Sequence, residues 1–272
     1  MEAKKLKYKK LFLILSVALL VSYIILFISI WPEIHNVFNK IESYFAILII
    51  LFRIVIFGSF TLFLLRKWFK QEAIYTSDAY FLFALFFIIL IVGKGVDLLI
   101  SLIYLGELYN PIYMLIFFKI RYMIITINAI PLLYLGLEVL MNIFDIYIKK
   151  ISKLQFNLVK ISIVSVFFLF NSILILNSPN LEDILGILPI ITTLTMVGII
   201  ILFALMYKIK RLSQAHGLII SLGFLFIIFS HMLRPSLTID FNIYMLISAE
   251  MIDQLLYIII FIGFIKKPPY IK

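Results

Sequence analysis

The amino-acid sequence predicts an all-α fold: a polytopic transmembrane helical bundle of eight spans, with both termini cytoplasmic. Three observations predict it. The 272 residues are 64% hydrophobic and 14% charged, where soluble domains run at about half and about a quarter. Several apolar runs exceed the roughly 18 residues that mark a membrane helix. The basic residues gather in alternate gaps between those runs, as the positive-inside rule requires.

Taken in order, the first span is Leu11–Trp31, preceded by a basic segment and ended by Pro32. Its length of roughly 21 residues, with Trp31-Pro32 in place of a small-residue cleavage site, predicts an uncleaved helix. The second is Ser43–Leu65, with Arg53 inside it, and the third Ala79–Leu105. The fourth, Ile112–Ile146, is long enough to tilt, and Pro131 is expected to kink it. Phe156–Asn177 and Ile184–Tyr207 follow, the latter with Pro189 near its start. The seventh, Ala215–Leu233, is expected to stop at Pro235, and the eighth, Ile243–Ile265, at Lys266-Lys267-Pro268-Pro269. The gaps are short, so the chain reads as one integral-membrane domain over residues 1–272 without a soluble domain. Trp31, Trp68, Tyr104, Tyr109, Tyr113 and Tyr207 fall near the expected interfaces.

Charge tests the count. One set of gaps holds Lys4, Lys5, Lys7, Lys9 and Lys10, then Arg66, Lys67 and Lys70, then Lys149, Lys150 and Lys153, then Lys208, Lys210 and Arg211, then Lys266, Lys267 and Lys272. The other set holds Lys40 with Glu33, Glu42, Glu107, Glu182, Asp183 and Asp240. A seven-helix count would place one basic cluster outside. The net charge of +10 therefore reads as a topology signal and as attraction to anionic lipid, not as a nucleic-acid surface. The absence of cysteine excludes disulfides and thiol chemistry.

The third span carries the most telling residues. Lys94 lies roughly 20 Å along a helix that starts near Phe81, within a hydrocarbon layer of about 30 Å. Asp97, three residues on, shares its face. Each charge at mid-bilayer costs about 2.5–3.5 kcal/mol on insertion scales, so both must face protein or water. On the expected topology Arg53 lies mid-helix, and Lys94, Asp97, Arg121, His231, Arg234 and Glu250 lie in the outer half, with Asp253 near the centre. Asn128 is one heptad from Arg121, on nearly the same face. Arg53, Lys94, Arg121 and Arg234 exceed their counter-ions Asp97, Glu250 and Asp253. The excess suits a phosphate, carboxylate or sulfonate. The expected ligand-binding set is Arg53, Lys94, Asp97, Arg121, Asn128, His231, Arg234, Glu250 and Asp253.

The plainer alternative is an ion-pair network that only sets helix register. Lys119 and Lys160 are expected to snorkel to the interfaces, and His35 and His216 to be surface groups. Glu138, an isolated inner-half carboxylate, is a candidate proton carrier with Asp253, although reaching the inner interface or bonding a neighbouring helix is the simpler role. Glu182-Asp183 should favour the start of the sixth span. Leu85–Asp97 aligns without gaps to Leu222–Arg234, a weak echo that chance explains more simply than a four-plus-four duplication.

Scattered histidines give no metal-ligand spacing, so no metal or cofactor is expected. Ser230 and His231 splay about 100° apart on a helix and make no catalytic pair. Three functions fit. The first is a receptor-like, sensory module in the plasma membrane that binds a small anionic or amphiphilic ligand and signals through a separate cytoplasmic protein. The second is a small secondary transporter, coupled to protons through Asp253 or Glu138. The third is an intramembrane enzyme on lipid phosphates, with Asp97 or Glu250 as general base.

Overall fold

The apolar runs do become helices. In the computed structural model, which describes residues 2–106, 111–147, 153–210, 212–238 and 243–271, the described residues form helices, turns and short connections and no strand. The helices are α1 (Glu2–Ser29), α2 (Trp31–Ile34), α3 (Ile41–Phe69), α4 (Ala79–Leu105), α5 (Pro111–Tyr147), α6 (Lys153–Asn177), α7 (Leu181–Lys208), α8 (Gly217–Thr238) and α9 (Ile243–Ile265). A 3-10 turn, His35–Asn39, joins α2 to the loop before α3.

Six stretches are long and apolar enough to cross a membrane: Lys5–Ser29, Ile41–Phe69, Ala79–Leu105, Pro111–Met141, Leu154–Asn177 and Ile247–Ile265. Thr192–Lys208 and Gly217–Leu233 are shorter apolar helices. The burial pattern supports the same environment. Leu13, Leu48, Leu62, Val166 and Phe170 are exposed, while Arg53, Lys94, Lys160, Glu250 and Asp253 are buried. Water would invert that pattern; a hydrocarbon solvent favours it.

Prolines depart from expectation in two places. Pro32 sits in the first turn of α2, where a missing N–H costs nothing. Pro235 does not stop α8, which runs on to Thr238. The basic N-terminal segment belongs to α1 itself.

The chain divides into two compact units, residues 1–121 and 122–272. The boundary falls inside α5, not between the fourth and fifth long helices, so it is not the boundary a four-plus-four duplication would draw.

In the first unit α3 packs along α4. The buried residues of α3 include Ser43, Ala46, Ile50, Arg53, Phe57, Thr61, Leu64 and Trp68, one stripe at helical spacing. Phe57 and Phe60 meet Phe87 at ring-centroid distances of 5.7 and 5.2 Å. Trp68 is fully buried, packs on Phe81 and Tyr8, and donates Nε1–H to the Tyr75 carbonyl at 2.9 Å. Both ends of α4 are capped. Asp78 accepts from the Tyr80 N–H at 2.9 Å, and the Lys40 ammonium donates to the Leu105 carbonyl at 3.1 Å, each charge complementing the helix dipole.

In the second unit α8 packs against both α7 and α9. Its core includes Phe203, Met206, Ile220, Ile227, Ile260 and Phe264. A Cβ on Gly223 would lie 2.5 Å from Ile260 Cγ1, so α8 and α9 approach closely there because the side chain is missing. The start of α7 is capped by Asn180, whose side chain accepts from the Asp183 N–H at 2.8 Å, with Glu182 and Asp183 in the first turn.

Candidate functional site

Two groups of buried polar residues stand out, one in each unit. The first is centred on Asp97. Lys94 and Asp97, one turn apart on α4, form an ion pair with Nζ–Oδ2 2.8 Å. The other carboxylate oxygen accepts from Nε of Arg121 on α5. Lys94 is 6% exposed, which a lysine tolerates only when its ammonium is matched. Asp97 thus holds two cations from two helices.

Arg53 belongs to the same unit and is 3% exposed on the inward stripe of α3, its guanidinium carbon 5.4 Å from the centre of the Phe57 ring. That geometry is a cation–π contact, and low polarity strengthens it. Arg53 and Lys94 are buried and Arg121 is half-buried, all three in the first unit.

Sequence reasoning missed Tyr23. Its hydroxyl donates to the Val92 carbonyl of α4, and its ring lies over Gly95. A Cβ at residue 95 would stand 2.6 Å from the ring, so Gly95 permits α1 to come this close. The motif Gly93-Lys94-Gly95 was the available signal; it shows that something approaches α4, but not which helix.

The second unit holds the other expected residues. Glu250 and Asp253 on α9 are 4% and 2% exposed, and Asp253 accepts from the Ser230 hydroxyl of α8 at 2.6 Å. Gln254, absent from the sequence reading, is 3% exposed, and neither its amide oxygen nor its amide nitrogen has a hydrogen-bond partner. Positions 250, 253, 254 and 257 are spaced i, i+3, i+4, i+7, one face of a helix. That spacing in an otherwise apolar helix was legible in advance. Ser230 carried no such signal. His231 is half-buried on α8, Asn128 is half-buried on α5 with Oδ1 unpartnered, and the Arg234 side chain lies outside the described residues.

Two expectations are corrected. Lys160 does not snorkel. It is buried, forms an ion pair with Glu138 of α5, and lies 5.3 Å from the Tyr134 ring. The carboxylate and the aromatic face inside the unit outweigh the reach to an interface. Glu138 thereby bonds a neighbouring helix. His216 is not a surface group. It is buried just before α8, stacked on Tyr207 at 5.1 Å, with its backbone N–H donating to the Gly263 carbonyl at 2.7 Å. Burial, with Lys266 nearby, lowers its pKa below the ordinary 6.5.

No group of three or more His, Cys, Asp or Glu side chains that could hold a metal ion occurs among the described residues. The helices and their buried charges define the class of this protein, an integral-membrane helical bundle. No family model, no curated protein and no solved structure matches the chain.

Proposed function

We propose that this chain is a receptor-like, sensory membrane module, an eight-span single domain of the plasma membrane with cytoplasmic termini. It binds a small anionic or amphiphilic ligand and passes the signal to a separate cytoplasmic protein. The observation that carries this reading is the Asp97 cluster. One carboxylate is shared by Lys94 and Arg121 within a unit that also buries Arg53. An incoming carboxylate or phosphate can take over the Arg121 fork from Asp97 while Lys94 keeps Asp97 matched, an exchange that needs no charge to go unpaired.

The test is equilibrium binding of dodecyl phosphate to the protein in phosphatidylcholine nanodiscs, with dodecanol as the uncharged control. The native protein should bind the phosphate and ignore the alcohol, with affinity falling at least about tenfold in Arg53→Ala and in Arg121→Ala, the loss of one charge-assisted bond. Undiminished binding in both variants removes the site assignment.

A second reading, secondary transport, draws on the α9 carboxylates. The engagement of Glu138 with Lys160 leaves Asp253 as the better candidate for coupling. Proteoliposome uptake that collapses in Asp253→Asn favours transport over sensing.

A further inference from the structure

The first unit carries a second set of cations, at the start of α4, about 21 Å along that helix from Lys94. Here the beginning of α1 meets the end of α3. Tyr8 packs edge-on against Trp68 with ring centroids 5.3 Å apart, and Lys5 Nζ donates to the Gln71 carbonyl at 2.8 Å. Lys9 Nζ lies 5.7 Å from the centre of the Phe69 ring, and Lys67 Nζ lies 4.9 and 5.4 Å from those of Phe63 and Tyr80. Lys70, exposed, ends α3 between Phe69 and Gln71. Among the described residues none of these four ammoniums forms an ion pair. A carbonyl or a ring face holds an ammonium in place without cancelling its charge. The connection from α3 to α4 has two carboxylates. Glu72 is exposed, and Asp78 accepts from Gln71 Nε2 at 3.0 Å and from the Tyr80 N–H at 2.9 Å.

We propose that this face, formed by Lys5, Lys9, Lys67 and Lys70, is a docking site for a phospholipid headgroup that carries two phosphates, of the cardiolipin class. Four ammoniums against two phosphodiester anions give each phosphate two donors, and lysine meets phosphate as a point charge without demanding one orientation. The apolar stretch Ile41–Phe69 ends here and Ala79–Leu105 begins here, which puts the ammoniums at headgroup level. A general attraction of a cationic chain to anionic lipid falls on every basic gap alike and follows total lipid charge. A site assembled from two helices, by contrast, distinguishes two linked phosphates from two separate ones, because the second contact is intramolecular once the first is made. On the topology proposed above the leaflet is the cytoplasmic one. The site itself depends neither on that topology nor on the anion exchange at Asp97.

The experiment is thermal unfolding of the full chain in phosphatidylcholine nanodiscs doped with rising fractions of cardiolipin. A parallel series carries phosphatidylglycerol at twice the mole fraction, so that total lipid charge is equal. Cardiolipin should raise Tm saturably, because a lipid that binds only the folded state stabilises it by mass action. Phosphatidylglycerol should need several-fold more charge for the same rise. In Lys5→Gln with Lys9→Gln, and in Lys67→Gln with Lys70→Gln, the half-saturating fraction of cardiolipin should increase about fivefold per lysine removed. Lys208→Gln, in the other unit, should respond as the native chain does. Equal responses to the two lipids at equal charge overturn the proposal, since they mean attraction to the membrane charge alone. An unchanged half-saturation in both double variants overturns it as well. So does an equal rise in pure phosphatidylcholine discs given inorganic pyrophosphate, which would make the ligand a free phosphate and not a lipid.

Discussion

Asp97 shows how one side chain can make buried cations tolerable in a membrane helix. Its two oxygens hold an ammonium one turn away and a guanidinium on α5, so burial of Lys94 does not leave a naked charge in an apolar setting. The i, i+3 spacing on α4 was legible in the chain; the partnership with Arg121 was not, because it depends on where α5 passes. Lys160 makes the same point in the second unit. Lys160→Met should destabilise the protein by about 2 kcal/mol in thermal unfolding, less than for a fully buried pair because the Glu138 side chain is 31% exposed. Lys160→Met combined with Glu138→Leu should recover most of that loss; no recovery would mean the pair is not the cause. His216 gives a pH prediction. Its folded pKa is depressed, so just below 6.5 the unfolded chain binds more protons than the folded one, and stability rises with pH in that window. The contribution is complete above about 6.5 and is lost as pH falls through the depressed folded value. Tm should drop between pH 7.5 and 5.5 in the native chain and drop less in His216→Gln.

At the scale of elements, α1 differs from its neighbours. None of its residues 5–29 is buried, yet it is tied to α4 by Tyr23 over Gly95 and the bond to the Val92 carbonyl. Gly95→Ala should therefore cost about 1–3 kcal/mol in thermal unfolding, the usual penalty for overpacking a close contact. In a Tyr23→Ala background the same change should cost much less, and equal penalties in both backgrounds would contradict the contact. The ends of the elements followed local chemistry. α4 and α9 begin and end where apolar runs and flanking caps predict, at Ala79–Leu105 and Ile243–Ile265. α8 overran Pro235 because a proline removes only one hydrogen bond and, near a helix end, that bond is easily forgone.

For the whole molecule, the testable claim is topology. The chain has no native cysteine, so single cysteines report cleanly. Cysteines at Lys10, Lys67, Lys210 and Lys267 should react from the cytoplasmic side, and those at Lys40 and Glu182 from the other. Labelling of position 210 from outside would overturn the eight-span arrangement. What the sequence by itself determined is the solvent and the order of the helices, since both follow from the length of apolar runs and from the sidedness of lysine, properties each segment carries alone. It also marked most of the ionisable residues that end up buried, because a charge inside an apolar run has few places to go. The partners were decided only by tertiary structure. Which cation shares Asp97, why Lys160 turns inward, and which serine meets Asp253 all depend on contacts between residues 22 to 24 positions apart on different helices. No local pattern encodes the rotation of one helix against another; close packing sets it, and the buried charges settle wherever that packing lets them meet.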